Sequence, residues 1–451
     1  MISDEPVRKM QTSINLTEGQ EQAPTKVAGS APPWHPLTRI AFRATFTYFF
    51  LTLWLWMDSL AVRPTKPVQW VYPFFANHLA SLMARLVLPS HSVPRSTSLD
   101  DTLWLYMVLL GCLALTLLIT LGWSIIDRRR LEYRFLNRWF RVLLRYSLAY
   151  VVLLYGMDKI IDVQFPGLEL SRLVETYGSS SPMGLMWSFM SHSRLYVLFA
   201  GMSEVTGGLL VIFRRTTTLG ALICAGVMLN VTLMDILYDV PVKMLALNLL
   251  LMAVVLIVPD VDRLASVLVF NREARPAMLV PLPADPRWRF AYRAAKVLLL
   301  LYLTVPLTVR DLRNYHKRGM GAHDAKPALY GLYAVDVFKR NGSVEPALLE
   351  SPMRWRHVAV EVNGDFTVRR MDDSMVTYKQ HYDAATHTAT IDATDPASSG
   401  KLLAVKEGDH LHLSGNVDGA ALDVELTRMD PSKFLLASRG FHWVSNKAFY
   451  K

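Results

Sequence analysis

Between residues 196 and 259 three apolar segments follow one another, separated only by Arg214-Arg215 and by Asp239-Val240-Pro241-Val242-Lys243. At 1.5 Å of rise per residue each comes close to spanning a hydrocarbon layer about 30 Å thick. Lipid offers no hydrogen bonds to a backbone, so such segments must be helices. Yet the first holds Glu204 and the second holds Asn230 and Asp235. An ionisable side chain in a spanning helix is costly and normally faces protein or water, which makes this stretch the first place to look for a functional site.

The rest of the composition agrees with a polytopic helical membrane protein: 52% of the 451 residues are hydrophobic and only 19% are charged. The net charge of +10 collects in short loops, as in Arg128-Arg129-Arg130 with Arg134, Arg138 and Arg141. That is the positive-inside pattern of a membrane protein rather than the footprint of a nucleic-acid binder. Cys112 and Cys224, the two cysteines, both lie within apolar runs, and neither a disulfide framework nor a metal-type spacing exists. Residues 1–38 are polar and rich in Pro, Gln and Thr, and read as a disordered cytoplasmic tail.

Residues 39–310 form the transmembrane domain, with about seven spans. They are 40–62, 103–126, 141–161, the three of the opening stretch, and 290–309. The stretch 68–88 is interrupted by Pro73, Asn77, His78 and Arg85, so it reads as an amphipathic helix in the outer interface. The loop 163–194 is long enough to lie on the membrane surface. Alternation from the basic loops puts the tail inside the cell and everything after Arg310 outside, although Arg310, Arg313, Lys317 and Arg318 follow the last span against the charge rule.

Residues 321–451 change character. Eight short alternating runs recur, at 330–338, 355–362, 366–371, 375–382, 388–392, 401–406, 410–414 and 420–427. Asn341-Gly342, Asn363-Gly364 and Asp418-Gly419 supply turn chemistry between them. This is an extracytoplasmic all-β domain, a small antiparallel barrel or sandwich. His410 and His412 share one face of a strand but have no partnered cysteine or HExxH pattern, so no metal site is assigned.

Counting residues from the expected helix ends places Glu204 and Asn230 at one depth, roughly 13 Å below the outer face. Tyr155, Asp158, Lys159, Asp235, Asp239 and Lys243 fall in the outermost turns. The resulting expectation is a polar core in two layers: a shallow charged cluster, and beneath it a carboxyl oriented by an amide. A carboxyl in low dielectric favours its neutral form, which suits Glu204 to hold and exchange a proton. Lys159 and Lys243 are available to pair with Asp158, Asp235 or Asp239.

The order of YGMDK at the end of a span, a long loop, SEVTGGLLVIFRRTTTLGA and then GVMLNVTLMDILYDVPVK resembles the DoxX-like family of bacterial membrane proteins, over about 141–264. The resemblance implies a four-helix core in the bacterial inner membrane, linked in some members to redox partner proteins and to quinone as electron acceptor. The extra leading spans, the seventh span and the β-domain depart from a minimal member. On this basis the chain is expected to be an accessory subunit of a quinone-linked redox system in the lipid bilayer, with Glu204 and Asn230 as the mid-membrane site. A proton-coupled solute transporter, or a scaffold whose β-domain binds an envelope partner, would use the same features differently.

Overall fold

A computed structural model describes residues 33–59, 66–90, 93–94, 100–274, 276, 285–320, 326–393 and 399–444. The expected tail lies almost wholly outside the described residues, and helix begins at Pro36. The helices are α1 (Pro36–Ser59), α2 (Lys66–Val87), α3 (Leu103–Ile126), α4 (Arg134–Ile160), α5 (Leu170–Val174), α6 (Pro182–His192), α7 (Arg194–Ile212), α8 (Thr217–Leu237), α9 (Lys243–Ile257), α10 (Val261–Leu268) and α11 (Pro286–Lys317). Among the described residues six helices are long and apolar enough to cross a membrane: α3, α4, α7, α8, α9 continued through α10, and α11. They match the second to seventh expected spans. The first expected span is helical as α1, and its last residues fall outside the described ones.

Local chemistry sets the starts of several helices. The hydroxyl of Thr102 accepts from Leu105 N–H, that of Ser181 from Gly184 N–H, that of Ser193 from Tyr196 N–H, and the Asp285 carboxylate from Arg287 N–H. Pro182 and Pro286 occupy first helical positions, where no N–H is needed. Two boundaries differ from the sequence expectation. Arg134, Arg138 and Arg141 lie on the first turns of α4 rather than in a loop, and α11 runs past Val309 to Lys317. A basic residue is a good helix former once its head reaches the interface, so charge alone does not mark where a spanning helix stops.

α4 packs on α7, α7 on α8, α8 on α9, and α9 back on α4, which closes a four-helix bundle. α1 and α2 pack on α3; Leu79 of α2 sits over Gly111, and Trp104 Nε1–H donates to Asn77. This group joins the bundle where Tyr48 O–H donates to Asn248 at 2.7 Å. α11 lies along α4.

The C-terminal domain is a closed barrel. Strands β1 (Gly331–Arg340), β3 (Trp355–Val360), β4 (Asp365–Arg370), β5 (Met375–Asp383), β6 (Thr388–Ala393), β7 (Ser399–Glu407), β8 (His410–Val417) and β9 (Ala420–Met429) run antiparallel in order, and β9 pairs back on β1. The two-residue β2 (Ser343–Val344) hangs on the end of β1. All eight expected strands are present, as a barrel rather than a sandwich. Asn341 and Gly342 (φ 50° and 82°), like Asp418 and Gly419 (53° and 78°), are both left-handed and make two-residue hairpins whose twist matches the flanking strands. Alternate side chains point inward, and Tyr333, Phe338, Trp355, Phe366 and Tyr378 fill the interior with aliphatic neighbours.

Barrel and bundle meet through the 163–194 connection. α5 lies on the outside of the barrel, where Leu170 and Val174 pack on Leu332 of β1 and Ala359 of β3. Ser171 N–H donates to Glu361 at 2.9 Å, and Arg369 donates to the carbonyl of Val174. α6 goes the other way: Met186 and Met190 pack with Phe165, Val197 and Val240 on the bundle. The loop expected to rest on the membrane surface is thus a bridge with one foot on each domain.

Candidate functional site

α4 ends, α7 begins, α8 ends and α9 begins at the barrel end of the bundle, so the polar residues near those termini converge. At the α4–α7 contact, Gly156 and Gly201 bring the backbones together; a Cβ on Gly201 would lie 2.8 Å from the Gly156 carbonyl and 2.9 Å from Lys159 Cβ. Lys159 and Glu204 meet just below. Lys159 Nζ donates to both carboxylate oxygens of Glu204, at 2.9 and 3.0 Å, and both side chains are buried. The Lys159 ammonium also lies 5.9 Å from the centroid of the Tyr155 ring.

This pair overturns the two-layer expectation. Lys159 belongs with Glu204, and Asn230 does not orient the carboxyl: it is exposed on α8, with Nδ2 3.4 Å from Met234 Sδ. Counting from helix ends misplaced them for two reasons. α7 starts higher than α4 stops, since Arg194 at its first position reaches back to the carbonyls of Lys159 and Ile160. In addition, side chains lean toward the N-terminus of their own helix, so on antiparallel neighbours Lys159 leans inward and Glu204 leans outward. The glycine pair marks the crossing and could have revealed it.

Beside the pair lies a cavity of about 410 Å³, within the range of small-molecule sites. Its walls are chiefly apolar and aromatic, from α4, α7, α8 and α9, with Met186, Trp187 and Met190 of α6 forming one side. Its polar groups include Tyr155, Lys159, Glu204, Asn230, Asp235 and Gln164. Phe199 and Asn230 line it and are also exposed on the flanks of α7 and α8, alongside the exposed Leu229 and Leu233. The cavity therefore has its rim on a lipid-facing surface.

The other expected residues fall outside the cavity. Asp158 pairs with Arg310 of α11 at 2.7 Å, and Arg310 also holds the fully buried Asp311 at 2.6 Å. The cations that follow the last span against the charge rule are accounted for in part this way, and Arg318 donates to the Val163 carbonyl at 3.0 Å. That violation is the sequence signal for Arg310, and its partner Asp158 lies 152 residues away. Lys243 pairs with Asp239 at 3.1 Å, as anticipated, and also approaches Asp101 at 3.9 Å. Sequence reasoning missed Asp101. It sits before α3, and its two oxygens accept from the first N–H groups of α9, Lys243 at 2.7 Å and Met244 at 3.2 Å.

Among the described residues no three His, Cys, Asp or Glu side chains come together in a way that could hold a metal. His410 and His412 project outward between the inward Leu411 and Leu413, beside Thr427 and Asp423 respectively. At the barrel contact, burial pushes the Glu361 carboxyl up to about 7, reinforced by the charge of Glu169 and opposed by the Ser171 N–H.

Comparison with known proteins covers the centre of the helical bundle. Residues 140–235 match the model of the DoxX family. Over 116 residues the chain is 29% identical to the uncharacterized protein YwoB of Bacillus subtilis (strain 168), a match that covers 26% of this chain and 73% of that protein. No solved structure matches. The matched region runs from α4 to the end of α8 and contains Tyr155, Lys159, Glu204, Asn230 and Asp235; Asp101, Asp239, Lys243, α9 and the barrel lie beyond it. This multi-pass membrane protein is thus built around a DoxX-family domain at 140–235, to which a C-terminal β-barrel is joined.

Proposed function

We propose that the cavity is the quinone site of a membrane redox system in which this chain is an accessory subunit. The observation that carries the reading is a cavity with a lipid-facing rim and apolar walls that ends on a buried Lys159–Glu204 pair. A lipid-soluble ring reaches such a site from the bilayer, and its carbonyls find an ammonium and a carboxylate inside. Reduction of the ring consumes two electrons and two protons; the electrons come from a partner redox protein, and the protons pass through side chains of this chain. Tight packing around Glu204 would have favoured the scaffold reading, and the cavity weighs against it. The basic residues of the 128–141 region and Arg214-Arg215 gather at the end of the bundle away from the barrel, which supports a cytoplasmic N-terminus and an extracytoplasmic barrel in a bacterial inner membrane.

The test is titration of the detergent-purified protein with a short-chain quinone, read by quenching of Trp187 fluorescence against a Trp187→Phe control. Glu204→Gln removes the carboxylate that pairs with Lys159, and binding is expected to weaken at least about tenfold, which corresponds to roughly 1.4 kcal/mol. Unchanged binding in that variant, or no saturable quenching in the unaltered protein, would refute the assignment.

A further inference from the structure

The Lys159–Glu204 pair satisfies itself, with both carboxylate oxygens taken by one ammonium. Asp235 is different. Its side chain lines the same cavity, the residue is 4% exposed, and its Oδ2 is buried without a hydrogen-bond partner among the described residues. A buried carboxyl oxygen left open costs free energy unless something fills the place, so the geometry asks for a ligand group there. Behind Asp235, toward the barrel end, lies the α8–α9 turn: Val240 N–H donates to the Asp235 carbonyl at 2.9 Å and Asp101 N–H to the Pro241 carbonyl at 2.8 Å, which puts Asp101, then Lys243, then Asp239 beside that turn. Side-chain exposure climbs along this series, from 4% at Asp101 to 23% at Lys243 and 85% at Asp239. The charged groups around Asp235 are Lys159, which lines the cavity with it, and Asp101 and Lys243 at the α8–α9 turn.

We infer that Asp235 is the proton port of the cavity: it exchanges a proton with the oxygen of a bound quinone or quinol and is recharged from the aqueous face on the barrel side through Asp101, Lys243 and Asp239. This rests on the quinone reading of the cavity and adds to it the route and side of proton exchange. The chemistry suits a carboxyl with one free oxygen. Protonated, it donates to a quinone carbonyl; ionised, it accepts from a quinol hydroxyl. When the ring gains two electrons from the partner redox protein, one O–H bond on the ring forms as the Asp235 O–H bond breaks, and the carboxylate left behind takes its next proton from the water-side series. At the other ring oxygen the second O–H bond forms as an N–H bond of the Lys159 ammonium breaks; Glu204 positions that ammonium, and the amine left behind is recharged across the cavity from Asp235. Asp101 and Lys243 touch no ligand and act by passing the proton and setting the local charge.

The experiment is an infrared difference spectrum of the purified protein, with bound decyl-ubiquinone cycled electrochemically between its oxidised and reduced forms at quinone concentrations that saturate each variant. The unaltered protein is expected to show a protonated-carboxyl band that Asp235→Asn lacks and Asp235→Glu retains at a shifted frequency. Asp101→Asn is expected to keep that band but to slow its hydrogen–deuterium exchange with bulk water about tenfold. A band that persists in Asp235→Asn, or one that disappears in Glu204→Gln instead, overturns the assignment while leaving the quinone site intact. Failure of the unaltered protein to bind decyl-ubiquinone overturns the quinone reading itself, and the port with it.

Discussion

The chain builds two enclosures and treats their interiors in opposite ways. The barrel closes eight strands around Tyr333, Phe338, Trp355, Phe366 and Tyr378 and leaves its inside packed with apolar side chains. The bundle closes four helices around a cavity of about 410 Å³, buries a charged pair in its wall and leaves an Asp235 oxygen without a partner among the described residues. A filled interior earns stability from every methylene, whereas a hollow one gives up that stabilisation to keep a place open. The difference separates a packed domain from a hollow one inside one polypeptide, and the proposed chemistry belongs to the hollow one.

That contrast can be broken most forcefully at Lys159. Lys159→Met leaves Glu204 buried without its counterion and is expected to destabilise the bundle by about 3–5 kcal/mol. Lys159→Met combined with Glu204→Met removes both charges and should recover most of the loss without recovering quinone binding; thermal unfolding in detergent separates the cases. In the barrel, Phe366→Ala is expected to cost about 3–5 kcal/mol, seen as lost hydrogen-exchange protection in β3, β4 and β5, with the cavity's ligand binding kept. The opposite operation on the bundle sharpens the point. Gly226 lines the cavity and a Cβ there meets nothing within 4 Å, so Gly226→Leu should change stability by less than about 1 kcal/mol while abolishing binding.

The smallest effect concerns the joint between the two enclosures. The Glu361 carboxyl, whose ordinary value is 4.5, stands at about 7 because α5 buries it. The docked state therefore holds a proton that the undocked state releases, and docking weakens as pH rises from about 4.5 to 7, then levels off above that. Hydrogen exchange of the α5 amides across this window should show protection falling with pH, and Glu361→Gln should flatten the profile.

Much of this architecture was legible in the residues. Lipid leaves the backbone no choice but helix, so apolar runs translate directly into spans, and the alternation with Asn-Gly and Asp-Gly turns translates into strands almost residue for residue. Glu204 stood out because its burial is costly wherever it points. Its partner was harder to read, since which side chain reaches it depends on helix stagger and on the lean of each Cβ, and neither is written in a single segment. Asp101 was missed because it belongs to a short loop whose role appears only once Pro241 and α9 lie beside it. The grip of α5 on the barrel was invisible for the same reason, as its five residues carry no signal of their own.

That grip has a consequence in time as well as in space. Ser171 and Glu361 are 190 residues apart, and between them the chain must thread α7, α8, α9 and α11 into the bilayer before β3 exists. The segment that walls one side of the cavity is therefore held at first by the bundle alone, through α6. Its second anchorage arrives only when the barrel has folded, so completion of the membrane site waits on a domain that is made after the spans.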